Sequence, residues 1–579
     1  MNLPRRPTSS ILCLAVVLSP ALLAGDLNER FELTLDRVLK GGPPVYDNSF
    51  VLADAVPQHV RRFTEFSGDV SGRYIGALAT AARFRGSSFP ELDRIVGKVV
   101  ALQKADGHFG DPFGTGEIAN SDMALLWGNV RLLIGLLEYY RLKPTTPVLA
   151  CARRLGDFFV SVAPRLNTEK VRVAFSGDQI AVGYICWTQI IEGLVELNRV
   201  TSDGRYLVLA EQIAANTHRH PRQHSHGFVT SLRGILELYR ITHDAQFLQQ
   251  VEREWDGVIE SGNLMAQGAL PEVFKPTNNH TEGCSEADWL RLNLGLWAET
   301  RKVRYLENAE LTIFNEFATN QFHTGDFGHR TFSDQRIEAG GARAWWCCTL
   351  HGLRAFPEVL RSSFHPEPRG LYYDLPVEGE GRLEGLEVCA DSTLQQDASV
   401  TLTVVKSDGE DRAIIVRHPA WAAALEFRLG QHTVAPTEKA GGAELRRAWK
   451  KGDKLRVHYA LRTQVLVQPG QKRVAFMHGP WFLAVDEAHS PSFFDEPSLL
   501  NRILLSAAAG SGDPILPRAK ESSAKSVPFS VPVARLALRY LPGGYPIQPQ
   551  TAILRPIAEQ TGLVDATQWA LWFEPKPGP

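Results

Sequence analysis

Cysteine is scarce in this chain of 579 residues, which has seven, six of them beyond residue 25. A set so sparse and irregular excludes the disulfide framework of small secreted scaffolds. An excess of either charge is also missing, with 62 Lys and Arg against 64 Asp and Glu. That balance excludes a polybasic nucleic-acid binder and a polyacidic tail. Long apolar runs are absent apart from Ile11–Leu23, which follows Arg5 and Arg6 and precedes Ala24 and Gly25. This layout predicts a signal peptide over 1–24 and a secreted or periplasmic protein with no membrane segment once the peptide is removed. An uncleaved anchor is the alternative, although the run is shorter than the roughly 20 residues of a spanning helix. The sequence gives no basis for an oligomeric state.

What is present is length enough for two to four domains at roughly 100–200 residues each. Four segments in the first half share one pattern: Gly135-Leu-Leu-Glu-Tyr-Tyr-Arg141, Gly193-Leu-Val-Glu-Leu-Asn-Arg199, Gly234-Ile-Leu-Glu-Leu-Tyr-Arg240 and Gly295-Leu-Trp-Ala-Glu-Thr-Arg301. Two continue alike, through Val200-Thr-Ser-Asp-Gly-Arg-Tyr206 and Ile241-Thr-His-Asp-Ala-Gln-Phe247. Helix, polar turn, helix is the reading, and such hairpins bury their apolar stripes only by stacking. An open solenoid and a closed (α/α) toroid both fit over 26–365. The long loops between hairpins favour the toroid, where they gather at one end and build a site. From about residue 370 the pattern changes to β-branched or alternating runs, Ser399–Val405, Ala413–Val416, Lys454–Tyr459 and Val474–Met477. They predict a β-sandwich over 366–490, followed by a linker and C-terminal extension over 491–579. The fold class is therefore multidomain α + β.

Two clusters in the helical half carry chemistry: Glu282-Gly-Cys284, and Trp345-Trp346-Cys347-Cys348-Thr-Leu-His351. One carboxylate and three thiols are a donor set that selects zinc. The spacing leaves two readings open, a metal site or inert core cysteines.

The arrangement Glu-x-Cys, a long gap, then Cys-Cys in a helical toroid followed by β elements resembles glycoside hydrolase family 127, the β-L-arabinofuranosidases and relatives. Ser67-Gly-Asp69-Val70 resembles the family's early Asp-Val motif. Val416-Arg-His-Pro-Ala-Trp421, Trp449-Lys-Lys-Gly-Asp453 and Arg473-Val-Ala-Phe-Met-His-Gly479-Pro480 resemble its β-domain signatures. The resemblance implies that Glu282, Cys284, Cys347 and Cys348 bind Zn2+, that Cys347 is the nucleophile of a retaining reaction, and that Glu272 is the general acid. Glu286 and Asp288 are weaker substitutes for that acid. The same resemblance puts Asp69, Asn129, Trp187 and His224 around a carbohydrate substrate, with His226 the alternative register for His224. Asn129 and Trp187 stand where relatives carry histidine. The implied activity is release of L-arabinofuranose or a related sugar from glycans. Alternatives are another sugar or lyase-type chemistry on the same fold, or a glycan-binding protein in which zinc only pins two loops. Trp345 and Trp346 are open between pocket wall and core, and His323, Asp326 and His329 receive no role.

Overall fold

A computed structural model of the chain describes residues 27–486 except 43–44, 56–64, 177–180, 276–279, 334–335, 440 and 468–472. Beyond 486 it describes 503–505, 518–519, 529–536, 547–557, 569–572 and 574–575. The predicted signal peptide and most of the predicted linker and C-terminal extension over 491–579 lie outside the described residues.

Twelve helices alternate between two layers: α1 (Leu27–Lys40), α2 (Asp69–Arg85), α3 (Pro90–Ala101), α4 (Asn120–Leu142), α5 (Thr146–Leu166), α6 (Ile191–Thr201), α7 (Gly204–Ala214), α8 (Ser225–Thr242), α9 (Ala245–Glu260), α10 (Gly283–Thr300), α11 (Val303–Leu311) and α12 (Trp346–Arg361). The even-numbered helices pack in a circle, α2 on α4 and so on to α12, which returns to α2. The ring is closed, so the toroid and not the solenoid is what this sequence forms. Inner helices are buried on nearly every side, as α2 is from Asp69 to Ala82, whereas an outer helix such as α9 buries one stripe, Phe247, Gln250, Val251, Trp255 and Val258. That contrast follows from the inner helices having neighbours all round and the outer ones facing water.

The repeated pattern explains the closure. A Cβ on Gly135 would stand 2.2 Å from the Gly72 carbonyl oxygen of α2, and one on Gly234 would stand 2.6 Å from the Glu192 amide of α6. Glycine lets α4 lie directly on the backbone of α2, and α8 on that of α6. The Asp of each shared turn caps the next outer helix, Asp203 accepting from the Arg205 amide at 3.1 Å and Asp244 from the Gln246 amide at 3.0 Å. The expected helical hairpins are present at these positions.

Within the helical half the structure also contains a three-stranded element that helical periodicity did not predict: β1 (His280–Glu282), β2 (Gly328–Ser333) and β3 (Arg336–Ala344). β1 and β2 pair antiparallel with His280 opposite Thr331 and Glu282 opposite His329. The middle of the chain forms two sheets, one of six strands and one of five, that share a hydrophobic core. The strands expected at 399–405, 413–416 and 454–459 are there, as Ser399–Ser407, Asp411–Arg417 and Lys454–Leu461. Val474–His478 pairs elsewhere, in a third sheet that also takes Trp481–Asp486, Phe529–Leu536, Ile547–Pro556 and the β1–β3 element. Asn315 ties this sheet to the toroid, donating to the Pro480 carbonyl at 2.9 Å and accepting from the Phe482 amide at 2.6 Å. Among the described residues no helix is long and apolar enough to cross a membrane.

Candidate active site

The inner helices begin at one end of the toroid, and there the two cysteine clusters meet. Cys284 is in the first turn of α10 and Cys347 and Cys348 in the first turn of α12, neighbouring helices in the ring. β1 delivers Glu282 to the same point. The ligand atoms of Glu282, Cys284, Cys347 and Cys348 lie within 4.8 Å of one another, and all four residues are buried. The Cys348 sulfur is 3.8 Å from that of Cys284 and 4.0 Å from that of Cys347. Such gaps exclude a disulfide, whose sulfurs are about 2.05 Å apart. They match the edge of a tetrahedral thiolate site, which is about 3.8 Å for bonds of about 2.3 Å. The set fits a metal ion in both donor type and spacing.

Its protonation shows what a cation would change. Burial pushes the thiols of Cys284 and Cys348 well above the ordinary range, and the neighbouring Cys347 sulfur adds to this. Burial also opposes ionisation of Cys347, but hydrogen bonds from the Cys284 and Cys348 thiols and the nearby Arg73 cation hold it well below that range. Three sulfurs share what amounts to one negative charge. A dication removes the mutual repulsion that keeps the other two protonated. Glu282 is ionised despite burial, because His224 Nε2 lies 3.0 Å from its Oε2 and Ser285 donates to the same oxygen at 3.2 Å.

Glu272 faces this cluster. Its carboxylate lies within 4.8 Å of the ligand atoms of His224 and Glu282. Partial burial and the Glu282 charge raise its pKa above the ordinary carboxyl range. Two backbone bonds fix the loop: the Ser225 amide donates to the Glu272 carbonyl at 2.9 Å, and the Glu272 amide donates to the His280 carbonyl at 2.7 Å. The two substitutes are excluded by burial. Glu286 accepts from the Leu270 amide at 3.2 Å, while Asp288 is held by Arg233 at 2.9 Å and Arg291 at 3.3 Å; neither is exposed.

The four residues expected around the sugar divide evenly. His224 is at the cluster. Asp69 is at its edge, where its Oδ1 accepts from Arg73 Nε at 2.6 Å and from the Trp127 indole at 3.1 Å. Asn129 is not in the pocket: it is fully buried, accepts from the Phe109 amide at 2.8 Å, and donates to the carbonyls of Ser67, Phe109 and Leu125 at 3.0–3.1 Å. Its amide clamps a loop to α4 and has nothing left for a hydroxyl. Trp187 is likewise core, unexposed, with its indole donating to Asn167 at 2.7 Å. Of the paired tryptophans, Trp346 is buried with Arg73 6.0 Å from its ring, and Trp345 is at the rim, edge-on to His329. Asp326 is structural, paired with Arg37 of α1 at 2.7 Å.

Sequence reasoning named His226, Asp288 and His351 singly and missed that they form, with Arg73 and Arg131, a buried layer beneath the thiols. Arg73 Nη1 lies 3.7 Å from the Cys284 sulfur and 2.8 Å from His351 Nδ1, Arg131 Nη2 lies 2.9 Å from His226 Nε2, and His226 Nδ1 lies 2.7 Å from Asp288. His226, Asp288 and His351 also bring three ligand atoms together. Two guanidinium cations on their rings make that group a hydrogen-bonded support and not a metal site. No short motif joins these residues, because each comes from a different inner helix.

Comparison with known proteins then decides the family. The family model of the β-L-arabinofuranosidase GH127 catalytic domain matches residues 42–361, and that of the GH127 middle domain matches 372–461. The chain belongs to glycoside hydrolase family 127. Its fold is that of Ara127N-Se, a GH127 β-L-arabinofuranosidase from Geobacillus stearothermophilus T6, at 15% identity and a TM-score of 0.68 over 96% of this chain and 98% of that one. The GH127 β-arabinofuranosidase BT3674 is similar at 16% identity and a TM-score of 0.69, over 94% of each chain. Among proteins of curated function none is similar in sequence. This GH127 chain is a glycoside hydrolase with a carbohydrate substrate, and its buried Cys and Glu cluster is a set able to hold a metal ion.

Proposed function

We propose that the protein is a secreted or periplasmic retaining glycosidase that releases L-arabinofuranose or a related sugar, with Zn2+ held by Glu282, Cys284, Cys347 and Cys348. The convergence of three thiols and a carboxylate at tetrahedral spacing carries this reading. Zinc would supply the positive charge that lets all three sulfurs ionise together, with Cys347 kept a thiolate at neutral pH. Cys347 then attacks the anomeric carbon as the glycosidic bond breaks. Glu272, whose pKa burial and the Glu282 charge raise, gives its proton to the leaving oxygen when it carries one. In the second step Glu272, now a carboxylate, takes a proton from water as that water displaces the Cys347 sulfur. Two displacements at one carbon retain its configuration. His224 holds Glu282 ionised and oriented.

The core positions of Asn129 and Trp187 favour another sugar on the same fold as the second reading, since two expected contacts do not reach the pocket. A screen of aryl glycosides including the β-L-arabinofuranoside, with metal content measured on the same sample, tests both. About one zinc per chain and turnover of one glycoside is the expected result. Intact thiols with no metal and no turnover would remove the reading.

A further inference from the structure

β1 carries two side chains on the face that holds Glu282, because residues two apart in a strand point the same way. The other is His280. Across the ladder, Thr331 and His329 are the partners of His280 and Glu282, so the ribbon presents two imidazoles beside the carboxylate. His280 Nε2 lies 2.9 Å from His329 Nδ1 and 3.6 Å from Glu272 Oε2, and the three ligand atoms lie within 4.8 Å of one another. A tetrahedral metal with nitrogen and oxygen bonds of about 2.0–2.1 Å spaces its ligands about 3.3–3.4 Å apart, so small side-chain shifts suffice. Thr331 Oγ1, 2.9 Å from His280 Nδ1, fixes that ring with Nε2 turned inward, the kind of second partner that orients a ligating histidine. His280 and Glu272 are partly exposed, so the position opens to solvent, unlike the thiol cluster.

We propose that Glu272, His280 and His329 form a second, weaker divalent-cation site at the rim, which takes zinc-like ions and, when filled, withdraws Glu272 from the reaction. Two imidazoles and a carboxylate are ligands that zinc and cobalt accept readily. The cation stands between the two rings and binds the Glu272 carboxylate, which in that state cannot carry a proton to a leaving oxygen. Only the inhibitory consequence rests on the glycosidase reading; the binding itself does not.

The test is a titration of the full-length protein as purified with cobalt(II), read in the visible and near-ultraviolet, followed by zinc titration with metal analysis. The rim site predicts one added equivalent with d–d bands and no thiolate-to-cobalt charge-transfer band. His280→Ala and His329→Ala should each weaken that equivalent at least tenfold. His280 is partly exposed, so its variant should retain the fold, which thermal melting checks. Excess zinc should inhibit hydrolysis by the parent protein and inhibit either variant at least tenfold less effectively. Added cobalt that shows only the thiolate band, or an added equivalent unchanged in both variants, overturns the site. Saturation of the site without inhibition overturns its effect on Glu272. If the protein hydrolyses no glycoside, the spectra and stoichiometry still decide the binding.

Discussion

At their N-terminal ends the inner helices bring together three thiols, a carboxylate and a layer of histidine and arginine; at their C-terminal ends ion pairs join the same helices in turn from α2 to α10. These pairs are built from the repeat itself. Arg141 donates to Glu196 of the next inner helix at 2.6 Å, Arg199 to Glu237 at 2.9 Å, and Arg240 to Glu299 at 2.7 Å, while Arg83 pairs with Glu138. They border a cavity of about 360 Å³ lined by arginine and glutamate side chains. Every charge named in these pairs has an opposite neighbour. The cysteine end is different: three sulfurs and a carboxylate crowd together there as a donor set able to hold a cation. Asp288 links the two, facing His226 on one side and Arg233 and Arg291 on the other. Repetition marks the scaffold here, and the candidate site is built from residues that break the repeat.

The largest effect should come from removing the proposed nucleophile. Cys347→Ser is expected to take turnover below detection and to lower zinc content, since the proposed mechanism gives one sulfur both roles. Glu272→Gln should cost about 10²–10⁴-fold on glycosides with poor leaving groups and much less on activated aryl glycosides in the first step. Zinc content and melting temperature should stay as in the parent. The pH profile sharpens this: Glu272 must be protonated to act as acid, so the rate falls as pH rises through its pKa. That limb should lie above the ordinary carboxyl range, as burial and Glu282 require, and should vanish in Glu272→Gln.

Cys284→Ser should lose metal and several degrees of melting temperature together, because a harder, weaker ligand leaves the other sulfurs poorly compensated. The smallest effect belongs to the opposite end. Arg199→Ala should cost about 1 kcal/mol of stability, since this arginine is about a third exposed and water screens its pairs. Turnover and zinc content should be unchanged. If Arg199→Ala abolished turnover while the protein remained folded, the two ends would not be separable.

Much of this was legible in the residues. The Gly and Arg of each repeat predicted hairpins because helix contact and surface charge are local needs that recur with each turn of the ring. The thiol cluster was legible through resemblance, for its residues sit in two short motifs. The buried support was not, as Arg73, Arg131, His226, Asp288 and His351 come from five helices and meet only when the ring closes. His280 was legible in principle: in a strand it shares the face of Glu282, but the segment sits among helices and its alternation spans three residues. Asn129 and Trp187 misled because polarity and ring size suit a sugar pocket as well as a loop clamp and a core, and only the backbone partners of Asn129 and the burial of Trp187 distinguish the two.

The central claim is that a sulfur, not a carboxylate, bonds to the sugar. Mass spectrometry of Glu272→Gln after brief reaction with an activated aryl glycoside that the parent protein hydrolyses tests it directly, because the slowed second step should let the adduct accumulate. One glycosyl unit per chain on the peptide bearing Cys347 is the expected result. Release of the aryl group with the adduct on any other residue, or with none at any time, would contradict it.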